Sequence, residues 1–121
     1  MDLDFTKEYY ISGAPQCPQP DANLPIAALQ AMDFVNVQFY NNGNCNHGQP
    51  GFLNSVRSWS ESLAGNFSRC KLFIAAIADP REGTGYITPD EIVAEVAQVK
   101  ALKEKFSLDN IGTIQILNCQ T

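Results

Sequence analysis

The spacing of hydrophobic and polar positions changes several times along the chain, and each change marks an element. Residues 9–15, Tyr-Tyr-Ile-Ser-Gly-Ala-Pro, read as a strand that stops at Pro15, since proline has no N–H for a ladder. A loop rich in Pro, Gln and Asp fills 16–24. Pro25 suits the first position of a short helix over 25–31, with Ile26 and Leu29 on one face. Residues 34–40, Phe-Val-Asn-Val-Gln-Phe-Tyr, are β-branched and aromatic and predict a strand, followed by a turn-rich loop over 41–51. From Phe52 the period becomes 3.6: Phe52, Val56, Trp59 and Leu63 share a face, and Gly65 stands where the helix should end. Residues 70–78 are apolar on both faces, as a strand covered on each side must be. After a Gly-rich connection over 79–87, Thr88-Pro89-Asp90-Glu91 combines an N-cap, a first-turn proline and a Thr-x-x-Glu capping box. Ile92, Val96, Val99 and Phe106 line the helix that follows, and Lys100, Lys103 and Lys105 oppose the negative end of its dipole. Residues 112–117 form a last apolar strand.

The order β-α-β-α-β-α-β with short connections implies parallel strands and right-handed crossovers. The fold class is therefore α/β, with four parallel strands and three helices: half a (β/α)₈ barrel or a small open sheet. At 121 residues the chain is one domain, since a complete barrel needs about 250. The first and last strands have exposed edges, which invites self-association through strand pairing.

Composition narrows the function classes. Charged residues are 17 % and hydrophobic ones 45 %, a balance that suits a packed domain and argues against disorder. The net charge of −5 gives a surface that repels phosphates, so nucleic acid is not an expected partner. The longest purely aliphatic and aromatic run, residues 72–78, falls far short of the ~20 residues that span a bilayer, so no membrane partner is expected either. The start, Met1-Asp2-Leu3-Asp4-Phe5, has neither a basic region nor an apolar stretch and does not read as a signal peptide. Possible secretion and this start conflict, which leaves an intracellular protein or a chain whose beginning is absent. Cys17, Cys45, Cys70 and Cys119 form no C-x-x-C pair, and with one histidine a structural zinc site is unsupported; no metal or cofactor is expected.

In parallel α/β folds ligands bind at the carboxyl ends of the strands. Four segments meet there: residues 14–17, 38–42, 78–79 and 117–119. The second strand carries the sharpest signal, because Val35, Val37 and Phe39 alternate with Asn36, Gln38 and Tyr40. Its apolar face must meet the helices, which turns the polar face inward. Polar side chains there bind a ligand, or else one another as a buried network. The topology also sorts the cysteines. Cys17 and Cys45 follow the ends of adjacent strands and lie within bridging reach, whereas Cys70 opens a strand and Cys119 follows one, about 20 Å away. A Cys17–Cys45 disulfide with Cys70 and Cys119 free is expected. Asp79 ends the third strand, where it serves as an acid or base or, more simply, caps its loop. His47 reads as a solvated loop residue and Trp59 as core. Asn66-Phe67-Ser68 matches the N-glycosylation acceptor pattern.

Tyr-Ile-Ser-Gly-Ala-Pro-Gln-Cys-Pro (10–18) and Asp-Phe-Val-Asn-Val-Gln-Phe-Tyr-Asn-Asn (33–42) resemble the family-18 glycoside hydrolases, specifically class III (hevamine-like) chitinases. The likeness continues through Lys71-Leu72-Phe73-Ile74 and Gly85-Tyr86-Ile87-Thr88-Pro89-Asp90, so residues 1–8 alone stand outside it. It implies a partial (β/α)₈ barrel holding strands five to eight, an extracellular location, and chitin or N-acetylglucosamine oligomers as partners. It further implies a substrate-assisted retaining hydrolysis of β-1,4-N-acetylglucosamine linkages, outside the two-carboxylate scheme. Tyr40 matches the tyrosine whose hydroxyl bonds the acetamido group; Gln38 and Asn41 match positions beside it, and Gln16 lies in the strand-five motif. The catalytic acid of the family sits in a D-x-x-D-x-D-x-E motif that this chain lacks. Asp2-Leu3-Asp4-Phe5-Thr6 echoes it with Thr6 at the acid position, and threonine cannot donate that proton. Leu117 stands where the family has a tryptophan. The chain alone is therefore expected to be inactive, and the alternative is a non-catalytic chitooligosaccharide-binding module.

Overall fold

The computed structural model describes residues 9–21, 23–65 and 68–117. Strand β1 (Ser12–Gly13) leads to helix α1 (Ile26–Gln30), β2 (Phe34–Gln38), α2 (Phe52–Leu63), β3 (Lys71–Ile77), α3 (Pro89–Phe106) and β4 (Ile111–Leu117). The strands lie in sequence order, β1-β2-β3-β4, and every neighbouring pair is parallel. Consecutive order with a helix in each crossover keeps all the helices on one side; a doubly wound sheet would reverse its strand order and cover both faces. Leu29 of α1, Val56 and Trp59 of α2 and Val99 of α3 accordingly share one core with Val35, Val37, Leu72 and Ile74 of the strands. This is the layout of a partial (β/α)₈ barrel, with helices outside and the other sheet face turned toward the lumen.

The elements form for local reasons that the side chains make plain. In α2, Phe52, Val56, Trp59 and Leu63 are all buried, and the Trp59 indole N–H donates to the Cys17 carbonyl at 2.8 Å. Thr88 and Glu91 close a reciprocal capping box at the start of α3: the Thr88 hydroxyl accepts from the Glu91 N–H and the Glu91 carboxylate from the Thr88 N–H. Cys17 and Cys45 are bonded, with Cα atoms 6.1 Å apart, as adjacent strand ends allow.

Several elements are shorter or turned differently from the sequence reading. The ladder in residues 9–15 covers Ser12–Gly13, with a separate bridge from Gln16 to Gln38. Ile26 is 39 % exposed, so Leu29 alone anchors α1. In α3 the inward stripe runs Glu95, Val99, Leu102, Phe106, while Val96 is 47 % exposed. Val96 and Ile92 instead border a groove beside Ile114 and Ile116 of β4, the strand at the sheet edge. Cys119 and the Asn66-Phe67 pair lie outside the described residues.

Cys70 is buried and not bridged. Burial, with a smaller contribution from the Asp33 charge, pushes its thiol up to about 11. Iodoacetamide at pH 8 should therefore leave Cys70 unmodified in the folded protein, since its thiolate fraction falls by about two orders of magnitude. Peptide mapping should find it labelled only after denaturation; rapid native labelling would contradict the burial.

Candidate functional site

The lumen side of the sheet is built by alternation and register. Val35, Val37 and Phe39 are fully buried against the helices, which turns Asn36, Gln38 and Tyr40 to the opposite face. Parallel register sets Asn36 beside Phe73 and Gln38 beside Ala75, and Ala75 in turn beside Gln115 of β4. Tyr40, Ala75 and Ile77 form a small apolar cluster separate from the main core, with Tyr86 packed against it. Asn36 Oδ1 is buried without a hydrogen-bond partner.

A run of amides closes the strand ends. Gln38 Nε2 donates to the Ala14 carbonyl at 2.6 Å, Gln16 Nε2 donates to Gln38 Oε1 at 3.1 Å, and Asn42 Nδ2 donates to Gln16 Oε1 at 2.9 Å. Asn42 Nδ2 also donates to the Tyr40 carbonyl at 2.8 Å. Gln16, Gln38 and Tyr40 thus come together. Asn41 stands at their edge, its backbone at φ 57° and its Oδ1 accepting from the Thr84 N–H at 2.9 Å, so its side chain anchors the β3–α3 loop. Asn42, which links three of these groups, was legible only as the second member of an Asn-Asn pair; its role depends on Gln16 arriving from another loop.

Two loop residues are resolved by their partners. Asp79 accepts from the Arg81 N–H at 2.9 Å and from its guanidinium, which together hold the Asp79 carboxyl down to about 2. With its oxygens held by Arg81, Asp79 caps the short 3₁₀ turn Pro80–Glu82. His47 is not solvated. Its ring is buried between Phe39 and Phe52, with Nδ1 2.5 Å from Glu95 Oε1 and Nε2 2.8 Å from the Ala75 carbonyl. The loop over 41–51 folds back because the His47 N–H also donates to the Phe39 carbonyl at 2.9 Å. An Asn/Gly-rich stretch hides this, since the two acceptors come from β3 and α3.

The strand-end cluster of Gln16, Gln38, Tyr40 and Asn42 carries amides and a phenol, with Gln115 in register beyond Ala75 and the Asp21 carboxylate accepting from the Gln16 N–H at 3.0 Å. It offers neutral donors and acceptors beside the half-buried Tyr86 ring, the chemistry of a hydroxyl- and amide-bearing ligand.

The fold is a partial (β/α)₈ barrel, and chitinases and chitinase-like proteins are among the proteins it is similar to. The chain is 44 % identical over 110 residues to endochitinase 3 of Metarhizium anisopliae, covering 90 % of this chain and 35 % of that protein. Among solved structures it is similar to the tamarind chitinase-like lectin, with a TM-score of 0.71 and 25 % identity, covering 90 % of this chain and 39 % of the lectin. It is also similar to a xylanase and α-amylase inhibitor protein, with a TM-score of 0.72 and 30 % identity over 92 % of this chain and 39 % of the inhibitor. The chain thus spans about a third of the length of the curated relatives it matches. No protein-family model matches it.

Proposed function

We propose that this chain is the part of a class III, family-18 chitinase-like glycoside hydrolase that supplies strands five to eight, and that it binds β-1,4-linked N-acetylglucosamine. Tyr40 orients the acetamido group through its hydroxyl, and Gln38, Gln16 and Asn41 border the same sugar. In the complete reaction the acetamido oxygen attacks the anomeric carbon while the glycosidic oxygen leaves with a proton from a glutamic acid. The residues present here bind and orient, and that acid comes from the D-x-x-D-x-D-x-E motif not found in this sequence, so the chain alone hydrolyses nothing. The single observation that carries the reading is the convergence of Gln38, Gln16 and Tyr40 on the helix-free face at the strand ends. The Cys17–Cys45 disulfide and the endochitinase relatives support an extracellular location.

A second reading, a non-catalytic chitooligosaccharide-binding module, is favoured by one observation: a similar solved structure is a chitinase-like lectin. Calorimetric titration with N-acetylglucosamine tetramer tests both. Saturable binding weakened about 3- to 10-fold by Tyr40→Phe is expected, the range of one neutral hydrogen bond. No saturable binding would remove both readings. A reducing-end assay separates them, because hydrolysis restored by a polypeptide carrying the acid motif belongs to the hydrolase reading alone.

A further inference from the structure

Tyr86 lies on the loop between β3 and α3 and packs on the lumen cluster of Tyr40, Ala75 and Ile77, apart from the main core. The loop is fastened to the end of β2 from both sides. The Asn41 N–H donates to the Thr84 carbonyl and the Thr84 N–H to Asn41 Oδ1, each at 2.9 Å. Gly85 lies against Tyr40: its φ is +92°, and a Cβ there would stand 2.9 Å from the Tyr40 Cα. Only glycine tolerates that backbone and that approach. This close seating delivers the next residue, half-buried Tyr86, to the side of Tyr40. Ala75 is fully buried, and Gln38 and Gln115 flank it in register. A half-buried ring beside amides matches a pyranose, whose faces carry C–H groups and whose rim carries hydroxyls and amides.

We infer that Tyr86 is a sugar-contacting residue, its ring flooring the N-acetylglucosamine unit next to the one held by Tyr40. This rests on the binding reading above. The ring face supplies the contact, so phenylalanine retains it and leucine, which fills similar space against Tyr40, does not.

Calorimetry with N-acetylglucosamine tetramer and the 121-residue protein tests the assignment. Tyr86→Phe should bind within about twofold of the unaltered protein, and Tyr86→Leu about 5- to 10-fold more weakly. The Trp59 indole N–H resonance, fixed by its bond to the Cys17 carbonyl, reports whether each variant is folded. Saturation of the Tyr86 ring protons in the unaltered protein should transfer to bound sugar, which a purely structural ring would not do. Leucine binding as well as tyrosine, or no transfer from the ring, overturns the inference and leaves the Tyr40 reading standing. Equal losses for phenylalanine and leucine overturn it as well, since the hydroxyl rather than the ring face would then matter. Absence of any saturable binding overturns it together with the function on which it rests.

Discussion

Replacing His47 with alanine should destabilise the protein by about 3–5 kcal/mol, the cost of breaking a buried ion pair by removing one partner. Both ring nitrogens face acceptors, Glu95 Oε1 and the Ala75 carbonyl, and both side chains are almost wholly buried. A neutral imidazole has one N–H, so the two contacts are satisfied together only when ring and carboxylate share a further proton. Without the ring, buried Glu95 loses its partner at Oε1, and the loop over 41–51 loses its tie to the Ala75 carbonyl of β3. Urea unfolding should show the midpoint falling with little change in slope. Glu95→Gln should be far milder, because an amide can donate to Nδ1 while Nε2 still donates to Ala75. The double change His47→Leu with Glu95→Leu should recover most of the loss, since apolar replacement of a whole buried pair is often near neutral. A loss below about 1 kcal/mol in His47→Ala would mean that the pair does not brace the strand ends.

Removing the disulfide with Cys17→Ser and Cys45→Ser should cost about 3–4 kcal/mol. The bond joins positions 28 residues apart, and opening that loop restores freedom to the unfolded chain by roughly this amount in the chain-entropy model. Guanidinium denaturation of the oxidised protein and of the double variant measures the difference. The effect should reach beyond the crosslink, because Cys17 is core and its carbonyl holds the Trp59 indole. An unchanged midpoint would show that these loops are already ordered in the unfolded ensemble.

The two large effects differ in how visible they were from sequence. The disulfide followed from topology: once β1 and β2 are parallel neighbours, their carboxyl ends must lie close enough to bridge. The His47–Glu95 pair gave no such sign. Glu95 sits on a helix whose apolar spacing fits Ile92, Val96 and Val99 equally well, and because neighbouring residues lie about 100° apart, a rotation of about half that exchanges Val96 for Glu95 at the interface. What breaks the tie is the arrival of His47, 48 residues away, with a proton to share.

Local chemistry alone determined a good deal. The capping box at Thr88–Glu91, the stripe of Phe52, Val56, Trp59 and Leu63, and the alternation from Phe34 to Tyr40 each rest on neighbours within a few residues, and their elements formed there, the strand ending at Gln38 rather than Tyr40. Parallel strand order followed because short connections through helices leave few other paths. Packing between distant segments decided the rest: that β1 pairs over Ser12–Gly13, that Gln16 meets Gln38 and Asn42, that His47 is buried, and that Gly85 brings Tyr86 to Tyr40. A side chain's period states which way it points, but what it meets depends on chains that are far apart in sequence and fix one another's position only when the sheet has formed.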